Sequence, residues 1–179
     1  VPMQIAVNLS PAQFMHGDLV NLVHSILLET GLAPDRLELE ITEGVLIEDF
    51  DRGLALLRRL KALGVRISMD DFGSGYSSLS YLQAFPFDKI KIDRAFVVNL
   101  GKNPQSAAIV RAVIDLGHGL EMSIVAEGVE TAEQLSFLAQ EGCDAVQGYL
   151  LGKPAPIGHF SAVIGRNVIN VMEPARKTG

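Results

Sequence analysis

The sequence predicts an α/β fold and, within that class, a TIM-like (β/α)8 barrel. Short β-branched runs alternate with longer runs whose apolar residues recur about every 3.6 positions, which is the strand–helix pattern of a parallel sheet. Six predicted strands each carry a polar residue at or near the carboxyl end, whereas a doubly wound sheet would gather such residues at one switch point. No GxGxxG motif follows the first predicted strand, so the dinucleotide-binding fingerprint is absent.

The predicted elements alternate between strand and helix along most of the chain. The six predicted strands span 4–9, 36–42, 65–71, 88–93, 122–128 and 145–150. The four predicted amphipathic helices span 19–30, 48–63, 104–120 and 131–141. Three of these helices end at a glycine, Gly31, Gly64 or Gly142, and the last begins with a capping box formed by Thr131 and Gln134.

The number of strands determines the expected extent of the domain. A full barrel has eight strands and usually about 250 residues. The first predicted strand begins at residue 4, and we therefore expect about six βα units, with the first two strands of the barrel missing from this sequence. Residues 1–164 are expected to form this domain, and residues 165–179 a C-terminal tail without a recognisable motif.

Composition excludes several classes of protein. Hydrophobic residues make up 48% of the 179 residues and charged residues 20%, which is typical of a folded globular domain. A net charge of -6 without a long basic run argues against nucleic-acid binding. The single cysteine, Cys143, fits a reducing, cytoplasmic location. No apolar run approaches the ~20 residues of a membrane span, so we expect no membrane contact by this domain, although a longer parent protein could be membrane-anchored.

Polar residues at the strand ends form the candidate site. In each predicted strand one alternating phase is apolar, and the other phase ends in a polar or charged residue. These residues are Asn8, Glu40, Asp70, Lys91, Asp93, Glu127 and Gln147, with Asp71 directly after Asp70. Converging carboxylates repel one another unless cations lie between them, and Mg²⁺ or Mn²⁺ prefers such oxygen ligands. Two ions about 4 Å apart would suit in-line attack on a phosphodiester, with Lys91 orienting the water or offsetting charge.

Taken singly, most of these candidates have a structural explanation. Asp70 and Asp71 could cap a glycine-containing turn, and Lys91 could extend to solvent. The four histidines lie apart without metal-ligand spacing, which disfavours a zinc site, and Cys143 is interpreted as inert. The joint occurrence of polar residues in one phase at all six strand ends is what favours a functional site.

The motifs, taken in order, resemble those of EAL domains, the bacterial cyclic di-GMP phosphodiesterases. They are NLS (8–10), ELEITE (38–43), DDFGSGYSSL (70–79), KIKID (89–93), EGVE (127–130) and QGYLLGKP (147–154). The resemblance implies a modified TIM barrel that opens cyclic di-GMP to linear pGpG with Mg²⁺ or Mn²⁺, and a homodimer. Residue by residue, it implies metal ligands at Asn8, Glu40, Asp70, Asp71 and Glu127, a catalytic group at Lys91, Asp93 and Gln147, and loop-anchoring residues at Glu43, Glu130, Gly73 and Gly75.

One departure from the pattern keeps alternatives open. The Glu-Ala-Leu tripeptide that names the family, whose glutamate is a metal ligand there, does not occur in this sequence. We therefore expect the isolated 179-residue chain to turn over little or nothing, and a longer parent with an upstream sensory or GGDEF-type domain to be active. The alternative functions are a catalytically inactive cyclic di-GMP sensor and a dimerisation module.

Overall fold

Six parallel strands form one sheet in a computed structural model that describes residues 3–15, 18–47, 49–73 and 79–160. The strands are β1 (Ile5–Asn8), β2 (Leu37–Thr42), β3 (Arg66–Phe72), β4 (Lys89–Ile92), β5 (Ser123–Glu127) and β6 (Ala145–Gln147). Their order in the sheet is β1-β2-β3-β4-β5-β6, so each strand pairs with its neighbour in sequence. A doubly wound sheet would reverse direction at a switch point, whereas a singly wound order is that of a barrel. The fold is therefore a partial TIM-like barrel, as the strand ends predicted.

Helices connect the strands of the sheet. The longer helices are α2 (Leu19–Thr30), α4 (Phe50–Ala62), α7 (Pro104–Gly119) and α8 (Ala132–Gln140), all within one or two residues of the predicted bounds. Shorter helices are α1 (Pro11–Met15), α3 (Glu43–Ile47), α5 (Leu79–Ala84) and α6 (Arg94–Val97), and 3-10 turns span Pro34–Arg36 and Ile157–Phe160. The four short helices were not predicted, because four to six residues hold too little of the 3.6-residue period to show it.

The two alternating phases of the strands lie in different environments. The apolar phase is buried against the helices, as for Ile41, Ile67, Ile90 and Ile124, each 0% exposed. The polar phase faces the interior of the partial barrel, and four of its charged residues are also buried. They are Glu38, Glu40, Asp70 and Lys91. The predicted alternation therefore holds in the central strands, and it brings charged groups into an enclosed space.

The outer strands differ from this pattern. All four residues of β1 are exposed, including the apolar Ile5 and Val7, because β1 is an edge of the sheet. Strand β6, the other edge, was predicted to reach residue 150 but ends at Gln147, where a turn begins. Among the described residues, no helix is long and apolar enough to cross a membrane. The predicted tail, residues 165–179, and Gly75 lie outside the described residues.

Candidate metal centre

The parallel register brings the predicted residues to one edge of the sheet. Asn8 lies opposite Glu40, Thr42 opposite Asp70, and Glu127 opposite Gln147. Because the strands are parallel, all of these positions are at carboxyl ends, where TIM-barrel active sites lie. The strand register alone thus gathers side chains from five of the six strands.

Lys91 is at the centre of the charged groups. Its Nζ lies 2.9 Å from Glu40 Oε1, 2.9 Å from Asp70 Oδ1 and 2.7 Å from Glu127 Oε1. The Lys91 side chain is 6% exposed, and the three carboxylates range from 10% to 18%. One ammonium therefore holds acids from β2, β3 and β5 at hydrogen-bond distance and offsets part of their mutual repulsion.

These contacts perturb the pKa values of the charged groups. Burial acts to lower the pKa of Lys91, but hydrogen bonds from its ammonium to Glu127, Asp70 and Glu40 outweigh burial and raise it above the ordinary value. Burial raises the pKa of Glu127, although Lys91 opposes that shift. Lys91 is thus a permanent cation at neutral pH, and Glu127 carries its negative charge less readily than an exposed glutamate does.

A β-bulge explains how two adjacent aspartates reach the same site. Regular alternation would send Asp70 and Asp71 to opposite faces of β3. The pairing of β3 with β4 instead shifts between Met69 and Phe72, and Asp71 has a left-handed φ of 53°. Aspartate is among the few non-glycine residues that adopt this conformation readily. As a result, oxygens of Asp70, Asp71 and Glu127 can all lie within 4.8 Å of one another. Burial and the charges of Asp70 and Asp93 raise the pKa of Asp71.

The remaining predicted site residues lie around this cluster. Asn8 and Gln147 are exposed on the two edge strands, and Asp93 caps α6 by accepting a 2.6 Å hydrogen bond from the Ala95 amide. Glu43 is buried at the start of α3, and its Oε1 accepts a hydrogen bond from the Gly73 amide at 3.3 Å. Glu130 forms an ion pair with Arg94 at 2.6 Å. The anchoring roles of Glu43, Glu130 and Gly73 stay predictions.

Several residues that contact the site or line its surroundings were not predicted from the sequence. Lys89 and Glu38 form an ion pair of 2.5 Å deeper in the barrel, two positions before Lys91 and Glu40. Including the preceding residue on the same face of each strand, two positions earlier in the sequence, would have predicted this pair. Arg94 and Tyr149 line an open pocket together with Glu127 and Gln147, and nothing in their local sequence predicts that position.

The donors present fit a hard divalent cation. Asp70, Asp71 and Glu127 offer carboxylate oxygens, and Glu40, which also contacts Lys91, adds a fourth carboxylate. Oxygen ligands of this kind suit Mg²⁺, Mn²⁺ or Ca²⁺, and no sulfur or imidazole ligand appears among the described residues of the cluster.

The sequence is similar to those of known bacterial signaling proteins. The chain is 51% identical over 160 residues to the bifunctional diguanylate cyclase/cyclic di-GMP phosphodiesterase MucR of Pseudomonas aeruginosa, covering 89% of this chain and 23% of MucR. It is 61% identical over 156 residues to a signaling protein of Caulobacter vibrioides, covering 87% of this chain and 19% of that protein. The chain thus spans about a fifth of the length of these curated relatives.

Two solved structures superpose on the chain. The MucR phosphodiesterase in complex with c-di-GMP matches with a TM-score of 0.85 and 49% identity, covering 88% of this chain and 64% of that one. Klebsiella pneumoniae BlrP1 with manganese and cyclic di-GMP matches with a TM-score of 0.81 and 38% identity, covering 86% of this chain and 40% of that one. The EAL domain family matches residues 1–154. With this match and the shared fold, the chain belongs to the EAL domain family.

Proposed function

We propose that this EAL domain serves metal-dependent hydrolysis of cyclic di-GMP to linear pGpG. The observation that carries the proposal is the convergence of Glu40, Asp70 and Glu127 on Lys91 at the carboxyl ends of their strands. Relatives named as cyclic di-GMP phosphodiesterases, including MucR, support the choice of substrate. The product, the metal dependence and the roles of individual residues are part of the proposal.

In this proposal, Asn8, Glu40, Asp70, Asp71 and Glu127 would hold Mg²⁺ or Mn²⁺, and two ions fit the number of donors. Bound cations of this kind lower the pKa of water and offset charge on a phosphodiester. Lys91 would hold the attacking water and stabilise the negative charge that develops on the phosphate. Asp93, two residues after Lys91, and Gln147, opposite Glu127 in the sheet, would orient the same water.

The substrate would enter from the open side of the cluster. The pocket beside Glu127 is lined by Arg94, Gln147 and Tyr149 and opens to solvent. Its Arg94 supplies positive charge close to the carboxylates, where a phosphate group would otherwise be repelled. A dinucleotide could therefore bring one phosphodiester to Lys91 while the remainder lies in this pocket.

A hydrolysis assay tests the proposal. The full-length protein that contains this chain is incubated with cyclic di-GMP and Mg²⁺ or Mn²⁺, and pGpG is measured by chromatography, with the 179-residue chain run in parallel. Lys91→Met should abolish turnover, whereas Lys61→Met, which removes a half-exposed ion pair with Asp88, should not. Turnover by Lys91→Met equal to that of the unchanged protein would contradict the role given to Lys91.

The second candidate function is a cyclic di-GMP sensor. The contacts of Lys91 with Glu40, Asp70 and Glu127 favour it, since an ammonium already engages three of the carboxylates that metal ions would need. A full-length protein that binds cyclic di-GMP and releases no pGpG would make it a sensor. We further propose that the parent carries an upstream sensory or diguanylate cyclase-like domain, as the bifunctional MucR name suggests, and that the domain is cytoplasmic and homodimeric.

A further inference from the structure

The short helix α6 lies between the two groups of carboxylates. It follows Lys91 after only Ile92 and Asp93, so it is attached directly to the strand at the centre of the site. Asp70 and Asp71 lie on one side of Lys91, at the end of β3, and Glu127 lies on the other, at the end of β5. The contacts that α6 makes on each side therefore bear on the spacing of the candidate ligands.

On the β3 side, Phe96 of α6 packs against Gly73. A Cβ atom placed on Gly73 would lie 2.8 Å from Phe96 Cε2, so only glycine lets the ring lie this close to the backbone. Gly73 comes two residues after Asp71, and its φ of 94° lies in the left-handed region that glycine adopts at no cost. The ring of Phe96 thus supports the backbone that carries the two aspartates.

On the β5 side, Arg94 of α6 lies over Gly128, the residue after Glu127. A Cβ atom on Gly128 would lie 2.1 Å from Arg94 Cγ, so the aliphatic part of Arg94 packs directly on this backbone. The Arg94 guanidinium then reaches Glu130 at 2.6 Å. That ion pair is exposed, at 60% and 39% of the two side chains, and contributes little free energy alone.

The buried connection on the β5 side is made by Gln134. Its Nε2 donates a hydrogen bond to the carbonyl oxygen of Val97, the last residue of α6, at 3.2 Å. Its Oε1 accepts from the amides of Glu130 at 2.8 Å and Thr131 at 3.0 Å. Gln134 is only 7% exposed. One buried amide group therefore ties the end of α6 to the segment that follows Glu127, and it gives three backbone groups a hydrogen-bond partner.

We propose, building on the function proposed above, that Gln134 and Phe96 are positioning residues for the metal-binding carboxylates. Through α6, Gln134 holds the backbone behind Glu127 and Phe96 holds the backbone behind Asp71. Neither residue contacts the cation or the substrate. Groups that orient metal ligands from behind commonly change metal affinity about 10- to 100-fold when they are altered, which sets the scale of the effect.

The variant Gln134→Glu separates positioning from helix capping. Glutamate keeps the acceptor oxygen, so the capping box with Thr131 remains. The substitution removes the N–H group that donates to the Val97 carbonyl oxygen, and it places negative charge beside that oxygen. We expect Mn²⁺ binding to the full-length protein, measured by titration calorimetry, to weaken about 10-fold. The added negative charge alone would strengthen cation binding, so a weakened affinity can be assigned to lost positioning.

Two further variants complete the test. Phe96→Leu should also weaken Mn²⁺ binding. This variant tests the proposal even if Gln134→Glu does not fold. Asn103→Ala removes the side-chain cap of α7, a 2.9 Å hydrogen bond from the Gln105 amide, and should leave Mn²⁺ affinity within about twofold. Mn²⁺ affinities of Gln134→Glu and Phe96→Leu equal to that of the unchanged protein would overturn the positioning proposal and leave the proposed function standing. An unchanged protein that binds neither Mn²⁺ nor Mg²⁺ would overturn both.

Discussion

Replacing Lys91 with methionine tests the charge balance of the site without reference to catalysis. Methionine keeps an unbranched apolar side chain but removes the ammonium that contacts Glu40, Asp70 and Glu127 at 2.7 to 2.9 Å. Removing one partner of a buried ion pair typically costs about 3–5 kcal/mol, because the other charge stays buried without compensation. Three carboxylates lose their partner here, but they lie near an open rim, so we expect about 3 kcal/mol, at the low end of that range.

The measurement is unfolding of the metal-free protein in a chelator. For a domain of this size about 1 kcal/mol corresponds to 2–4 °C in Tm, so Tm should fall by roughly 6–12 °C. Lys61→Met is the matched control, since its ion pair with Asp88 is about 30% exposed at both side chains and should cost less than about 1 kcal/mol. Adding Mn²⁺ should restore more stability to Lys91→Met than to the unchanged protein, because a divalent cation replaces the lost charge.

The same variant should change the pH dependence of stability. Without Lys91, burial and the charges of Asp70 and Asp71 raise the pKa of Glu127 still further above its ordinary value. A carboxyl whose pKa is higher in the folded state stabilises the fold at low pH and loses that contribution as pH rises through the folded pKa. Compared with the unchanged protein at the same pH, the metal-free variant should thus lose less stability at about pH 5 than at about pH 7. A Tm for Lys91→Met within about 2 °C of the unchanged protein in chelator would refute the reasoning.

Three further predictions concern other residues of the described structure. Gly148→Ala should destabilise by about 1–3 kcal/mol in urea unfolding, because a Cβ would lie 2.1 Å from the Val129 carbonyl oxygen, whereas Gly152→Ala, with no atom within 4 Å, should not. Cys143 should react slowly with iodoacetamide at neutral pH, since burial raises its thiol pKa, and rapid labelling of the folded protein would contradict this. Hydrogen bonds from the Ile124 amide and His118 lower the pKa of Asp144, so Asp144→Ala should lose stability above about pH 4 and match the unchanged protein at still lower pH, as thermal unfolding would measure.

The sequence predicted the sheet and the convergence of charged residues at its carboxyl edge better than it predicted the detailed geometry there. Alternation along β2, β4 and β5 identified Glu40, Lys91 and Glu127, because strand periodicity is a local property that survives in any fold. The bulge that brings Asp71 close to Asp70 and Glu127 could not be predicted from alternation. It depends on how β3 pairs with β4, which involves residues about 20 positions apart.

Contacts between distant segments were the other feature that the sequence could not predict. Gln134 was correctly identified as part of a capping box, but its donor bond to Val97 spans 37 positions. The side-chain amide of Gln134 has two hydrogen-bonding atoms. Only the bonds of Oε1, which are to residues close in sequence, follow from a sequence rule. The same holds for Phe96 and Gly73, whose contact requires the ends of β3 and β4 to be neighbours.

The singly wound strand order has a consequence for the dynamics of the site. Strands β2 to β5 have neighbours on both sides, whereas β1 and β6 have one each and are largely exposed. Local opening starts where few contacts must be broken, so amide hydrogens of β1 and β6 should exchange with solvent faster than those of the inner strands. In the isolated 179-residue chain, Asn8 and Gln147 lie on these edge strands, while Glu40, Asp70, Lys91 and Glu127 lie on inner ones. In that chain we expect the charged core of the candidate centre to exchange slowly and the two lateral polar groups to move away and return without global unfolding.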